Sequence, residues 1–484
     1  MLVLKNGIML TITSVLVGII NMFFSAFIAR KIGSEAMGIF SLIMSVFTFA
    51  MTLAISGVNL ATTRLVAEEM AFGRTKSAHK ALGLCIAYSL FFSILACILL
   101  ILSAGLIGNN FLHQQLVIIP LKILAISLPF ASLSSVFSGY FAAMQKGGRA
   151  STSVLFDSLA RVFIVTHLVS VVFAGQGVEK MIIAIILGST IAEMLGCLYR
   201  FACYKFGKKE KNNSVKNRED NSLFKRLLHI AIPVALASYL KSALSTTKQT
   251  LVPINLVRFG MVTSVALSQY GIIQGMVLPL LFFPMCFLFA FSQLLVPEVS
   301  ALAAREYSKR IKQVISKIFK TTMIFSIFCS VIFIAYAQPL SEWIFKRPDI
   351  APMVRIFALC MPITYFDVIV DSLLKGLDKQ VAVVNINIID SVVTIGMILT
   401  LIPNFGIAGY IAVFFISETF NAILSIGKLL KTIACPFDFL NWLVKPLAAA
   451  IIALLVSHNL VLFIIAYFAT LILTKSLTKE DLKI

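Results

Sequence analysis

Charge is what this chain has least of. Only 13% of its 484 residues are charged, while 59% are hydrophobic and the mean hydropathy is +0.98. A soluble globule cannot leave so little polar surface for water, so that class is excluded. Acidic residues are scarcer still, 21 against 41 basic ones. Chemistry-bearing motifs are missing as well. No G-x-x-x-x-G-K-[ST] loop is present to cradle ATP phosphates, and no Gly-rich dinucleotide turn, H-E-x-x-H or G-x-S-x-G pattern occurs. The eight cysteines (Cys85, Cys97, Cys197, Cys203, Cys286, Cys329, Cys360 and Cys435) are scattered through mostly apolar stretches with no C-x-x-C pair, which favours burial over disulfides or metal binding. The five histidines have no ligand spacing either. These absences point away from an enzyme, a metal site and a bound cofactor.

What is there instead is a succession of apolar runs of bilayer-crossing length, which takes about 20 residues. About fourteen can be traced, from 7–29 and 38–62 at one end to 441–457 and 459–474 at the other. Only Lys5 precedes the first run, and no small-residue cleavage pattern follows it, so it reads as an uncleaved helix. Lys and Arg gather in alternate loops; the few on the other side are Arg30, Lys31, Lys122, Lys180, Arg258, Lys346, Arg347 and Arg355. By the positive-inside rule this puts both termini in the cytoplasm, and it accounts for the net charge of +20 without nucleic acid. The fold class expected is an all-α polytopic protein of the cytoplasmic membrane.

The chain also resembles itself. A shift of 233 residues lays Gly38 on Gly271, Lys122 on Arg355, Pro129 on Pro362, Lys146 on Lys379 and Asp157-Ser158 on Asp390-Ser391. One shift serving several distant places suggests a duplicated six-helix unit, and an even number makes the two copies parallel in the membrane. The expected organisation is an N-terminal lobe at 1–204, a cytoplasmic linker at 205–226, a C-terminal lobe at 227–432, and two extra helices with a tail at 433–484. The linker is the longest strongly polar run and reads as solvated chain.

Polar residues inside the runs are the candidates for function, since a charge at the bilayer centre costs roughly 3 kcal/mol on insertion scales. Within 230–258, Lys241, Ser245, Lys248 and Asn255 fall on one helical stripe, opposite the uncharged Leu236, Ala243, Thr246, Thr250 and Ile254. Both lysines either face a watery cavity or snorkel to opposite surfaces. Asn21 and Ser25 make a small polar face on the first helix. Lys122 lies near the outer end of the fourth helix, where an anchoring role is the plain alternative. Asp157 and Arg161 on the fifth helix are four apart and can pair locally, as can Arg64 with Glu68 and Asp371 with Lys375. Glu193 and Glu418 sit in the sixth and twelfth helices, and Asp390 matches Asp157 in the repeat.

The stretches ARKIGSEAMGIFSLIMSVF, SGVNLATTRLVAEE and LLVPEVSALAARE resemble the polysaccharide and lipid-linked oligosaccharide branch of the multidrug/oligosaccharidyl-lipid/polysaccharide exporter superfamily. The likeness runs along essentially the whole chain. It implies fourteen helices, two six-helix lobes around a central cavity, and outward movement of an undecaprenyl-pyrophosphate-linked sugar by alternating access. Arg64 stands where that branch often has a basic residue ending the second helix. The branch's lipid II flippases carry arginines within the first helix, whereas this chain has none between Gly7 and Ala29. On this reading Lys241, Lys248 and Arg161 or Lys122 hold the phosphates, Asn21 and Ser25 offer hydrogen bonds to the sugar, and Arg64 and Asn255 belong to the same substrate-binding set. Glu193, Glu418, Asp390 and Asp157 are candidates for ion coupling. Membrane lipids and cell-wall synthesis enzymes are the expected partners. The competing readings are a drug or cation antiporter of the same superfamily and a scaffold that recruits such enzymes through its linker.

Overall fold

The computed structural model describes residues 2–112, 114–206, 222–304, 308–433, 440–456, 459–474 and 476. Most of the expected linker, Cys435 and the tail beyond 476 lie outside them. All regular structure among the described residues is helical. In a bilayer no water satisfies backbone N–H and C=O groups, and a helix satisfies them within its own segment.

The helices are α1 (Leu2–Ile55), α2 (Val58–Ala71), α3 (Thr75–Leu106), α4 (Ile118–Ala143), α5 (Gly147–His167), α6 (Val178–Lys205), α7 (Leu223–Arg258), α8 (Thr263–Ile272), α9 (Leu278–Phe282), α10 (Met285–Ala304), α11 (Ser308–Ala335), α12 (Ala337–Phe345), α13 (Ala351–Ala358), α14 (Met361–Gly376), α15 (Gln380–Ile433), α16 (Lys445–Val456) and α17 (Leu460–Leu473). Among the described residues nine helices are long and apolar enough to cross a membrane, or ten if the bent pair α13 and α14 is one span. The fourteen apolar runs exceed this number because the first two runs, and the two along α15, are each joined through a glycine break and taken together, and because α16 and α17 are short. Helices α1 and α15 are each 54 residues long. Straight, each would reach about 80 Å, far beyond a hydrocarbon layer about 30 Å thick. Each is broken at a glycine in a backbone conformation other residues rarely adopt: Gly33 at φ 79° in α1, and Gly406 at φ 57° in α15.

The chain divides into two compact units, residues 1–275 and 276–484. This contact boundary differs from the sequence boundaries, which follow the repeat pattern: packing groups α7 and α8 with the helices before the linker. In the first unit α3, α4 and α6 pack in series, α5 lies on α6, and α1 touches α3, α4, α5, α7 and α8. Val58, Leu65, Leu82, Tyr88, Val136 and Leu227 form a buried apolar core under α2, α3, α4 and α7. In the second unit α14 packs against α10, α11 and α15. There α16 and α17 dock on α11 through Ala449, Ala453, Phe463 and Tyr467, and the Tyr467 hydroxyl donates to Ile324 O at 3.0 Å.

Two close helix contacts stand out. Helices α1 and α8 cross so closely that a Cβ on Gly38 would lie 2.1 Å from Leu267 O, and one on Gly271 only 2.0 Å from Ser34 O. The 233-residue shift exchanges these two contacts, since it carries Ser34 onto Leu267 and Gly38 onto Gly271. Separately, Thr63 on α2 donates to Gly139 O on α4 at 3.2 Å, and Ser300 on α10 donates to Gly376 O on α14 at 2.8 Å. Each unit thus ties a hydroxyl to a helical glycine 76 residues further on, although the two ties lie 237 residues apart and the 233-residue shift does not superpose them.

Candidate functional site

The bend at Gly33 lets both limbs of α1 border one space. Asn21, Phe24, Ser25 and Ile28 come from the first limb. The second contributes Met37, Phe40, Met44, Phe47, Thr48 and Met51, which recur at spacings of three and four on one helical face. Leu124 and Ser127 of α4, Arg161 of α5 and Ile186, Ser189 and Glu193 of α6 complete a cavity of about 370 Å³ inside the first unit. Its wall is mostly Phe, Met and aliphatic. Its ionised groups are one arginine and one glutamate.

Those two belong to a group of four charges where α5 packs on α6. Asp157 accepts from Arg200 through both guanidinium nitrogens, one of them Nη1 at 3.0 Å, and Arg200 Nη1 also donates to Ser134 Oγ of α4 at 3.4 Å. Both partners are largely hidden, with side-chain exposures of 7% for Arg200 and 16% for Asp157. Gly196 makes this possible, because a Cβ there would lie 2.0 Å from Asp157 Oδ1. The second pair is looser. Arg161 Nη2 lies 3.5 Å from Glu193 Oε2, and the arginine side chain is 40% exposed against 17% for the glutamate. Arg161 makes no hydrogen bond among the described residues, and its Nε is buried without a partner. The local Asp157–Arg161 pair expected from spacing is therefore not formed. Each residue reaches across to α6 instead, where the two partners lie one above the other.

Arg200 and Gly196 were not among the candidates, since Arg200 counts by position as part of a charged exit from the membrane. Their signal is spacing: Glu193, Gly196 and Arg200, three and four apart, share one face of α6.

The remaining candidates lie elsewhere. On α7 the face turned to α1 is hydroxylic: Thr246 donates to Ser45 O at 3.0 Å, Thr52 donates to Ser242 at 3.1 Å, and Tyr239 bonds Ser56. Lys241 and Lys248 are off that face and border no part of the cavity; Lys241 is exposed and Lys248 half-buried. Asn255 is fully buried, donating to Leu251 O at 2.8 Å. Lys122 and Arg64 are exposed and outside the cavity lining. Arg64 does not pair with Glu68, which is taken by Arg226 at the start of α7. Arg226 also donates to Glu69 at 2.9 Å, and that glutamate is wholly buried with Arg74 3.8 Å away.

The second unit handles its acids differently. Asp390 accepts from Ser417 at 2.7 Å and Thr394 at 3.3 Å, and Asp367 accepts from Asn421 at 2.7 Å. Asp371 faces Asn387 and Ser425, each at 3.5 Å, and makes no pair with the exposed Lys375. Glu418 is half-buried on α15. Hydroxyls and amides are thus among the donors that these acids meet.

Comparison with known proteins gives a consistent picture. The family model described as polysaccharide biosynthesis protein matches residues 3–254. Stage V sporulation protein B of Bacillus subtilis (strain 168) is 24% identical over 389 residues, covering 79% of this chain and 74% of its own. Among solved structures, the lipid II flippase MurJ in an inward closed conformation is similar over 96% of this chain and 98% of its own, with a TM-score of 0.69 and 16% identity. An inward-facing multidrug resistance MATE family transporter of the MOP superfamily covers 88% of this chain and 98% of its own, with a TM-score of 0.67 and 13% identity. The chain shares their polytopic, multi-pass helical fold.

Proposed function

The chain belongs to the polysaccharide biosynthesis protein family, and from that premise we propose that it is a membrane flippase carrying a lipid-linked sugar pyrophosphate from the inner to the outer leaflet. One observation carries this reading above the others. The cavity wall holds an arginine, Arg161, with all of its hydrogen-bonding capacity unspent, beside Asn21 and a set of hydroxyls. A planar guanidinium with five donors suits the oxygens of a pyrophosphate, to which it can bond through two nitrogens at once. Asn21 and Ser25 are suited to sugar hydroxyls, and the Phe and Met wall to the apolar faces of sugar rings. The lipid tail stays in the bilayer, so only the polar head needs a protein environment.

The relatives support this class of activity: one similar structure is a lipid II flippase, another a multidrug resistance transporter of the MOP superfamily. Within the proposal, rocking of helices about the site alternates its access, both termini are cytoplasmic, and no catalytic step is involved. Lys241 and Lys248 are assigned a secondary role, drawing anionic headgroups toward α7. Glu418 and Asp390 remain candidates for ion coupling, whereas Asp157 is held by Arg200.

The test is translocation of a lipid-linked precursor by purified protein in vesicles. Arg161→Gln is expected to lower it at least tenfold, since a charge-assisted hydrogen bond contributes about 1.5–3 kcal/mol. Normal translocation by a correctly inserted Arg161→Gln protein would refute the assignment.

A further inference from the structure

Arg161 already has an occupant. Glu193 lies 3.5 Å from it, close enough to neutralise the guanidinium but without a hydrogen bond. The neighbouring Asp157–Arg200 pair is bonded through both nitrogens, seated over Gly196 and nearly closed to solvent, so neither member is free to exchange partners. The charges facing Glu193 are Arg161 and Asp157 from α5 and Arg200 from its own helix. Cys197 is its titratable neighbour on α6. From α1 and α4 the cavity receives Asn21, Ser25, Thr48, Thr52 and Ser127, none of which titrates in the physiological range. Glu193 thus has one cation to lean on, since Arg200 is committed to Asp157.

We propose that Glu193 is a built-in surrogate for the substrate anion, displaced from Arg161 when a pyrophosphate binds and protonated as it leaves. This rests on the flippase reading above and goes beyond it by assigning a specificity-determining residue. A pyrophosphate and an ionised carboxylate cannot share one guanidinium, because two like charges at contact distance in a largely apolar cavity repel strongly. Stripped of Arg161 and left beside Asp157 and the incoming anion, the carboxylate takes a proton from water. On release the events reverse: the anion leaves, Glu193 gives up its proton and closes on Arg161. The empty carrier therefore never exposes a bare guanidinium to the bilayer, and a weak monoanion gains nothing by replacing the resident carboxylate. Selection for a multiply charged headgroup follows.

The experiment is calorimetric titration of the full-length protein in detergent with farnesyl pyrophosphate, across pH and in buffers of different ionisation heat. Wild type should take up close to one proton per pyrophosphate bound, beyond what the probe itself exchanges with the buffer. Its affinity should fall toward tenfold per pH unit between the titration of Glu193 in the free protein and its titration in the complex. Glu193→Gln should bind at least as tightly as wild type and lose that extra uptake, while Glu193→Asp should keep it. Uptake unchanged in Glu193→Gln overturns the exchange, as does weaker binding by Glu193→Gln, which would make Glu193 a support for Arg161 rather than its competitor. Binding by wild type without proton uptake overturns the exchange and leaves the flippase reading standing. No binding by wild type removes both.

Discussion

Replacing Gly271 with alanine sets a methyl group where two helix backbones already touch. The new Cβ would lie 2.0 Å from Ser34 O, 2.5 Å from Gly38 N and 3.0 Å from Gly38 Cα. These are backbone atoms, so no side chain can swing aside. Opening the first contact to an ordinary van der Waals distance moves α1 and α8 apart by about 1.4 Å, and a well-packed interface resists such overpacking at about 1–3 kcal/mol. The same movement stretches the Ser34–Ser268 hydrogen bond, now 2.7 Å, and the bond from Ser25 to Gly275 O, now 3.2 Å. Interhelical bonds in membranes contribute about 0.6 kcal/mol each, so the total expected loss is about 2–4 kcal/mol. Reversible unfolding in mixed micelles measures it. Gly83 of α3 and Gly427 of α15 are the controls, because a Cβ at either meets nothing within 4 Å. Alanine there should be neutral or mildly stabilising through its better helix propensity, about 1 kcal/mol. If Gly271→Ala unfolds no more easily than Gly83→Ala, the close crossing is not a feature of the folded protein.

Gly196→Ala should push Asp157 off Arg200 and cost about 3–5 kcal/mol, the range for a buried charge that loses its partner; Asp157→Asn combined with Arg200→Gln should cost less than Asp157→Asn alone, as a double-mutant cycle in micelles would reveal. Arg226→Ala leaves the wholly buried Glu69 with Arg74, 3.8 Å away, as its neighbouring cation, and the melting temperature should drop, with partial recovery in Arg226→Ala/Glu69→Gln. In the vesicle assay Arg161→Gln should impair translocation more than the double change Lys241→Ala/Lys248→Ala, and the opposite order would move the anion site to α7.

Much of the fold can be read from apolar run length alone, because a bilayer leaves the backbone few alternatives to a helix. Where one span gives way to the next is less legible: Gly33 and Gly406 each mark a kink through non-helical dihedral angles, with no run of turn residues around them to announce it. At the site, Arg161, Glu193, Asn21 and Ser25 stand out as polar residues in apolar runs, and the structure gathers all four. Their partners do not stand out. Spacing along one helix favours Asp157 with Arg161, but the small side of α6 at Gly196 lets α5 approach until pairing across helices wins. Nor can a sequence give the rotation of a helix about its axis. The stripe of Lys241 and Lys248 is real, yet the hydroxyls of Tyr239, Ser242 and Thr246 decide which side of α7 meets α1.

The meeting of α1 and α8 leaves no room for compensation. Gly38 presses on the carbonyl of Leu267 and Gly271 on that of Ser34, so each glycine is confined by main chain that trimming a neighbouring side chain cannot retract. Neither position can be enlarged and then rescued at the other.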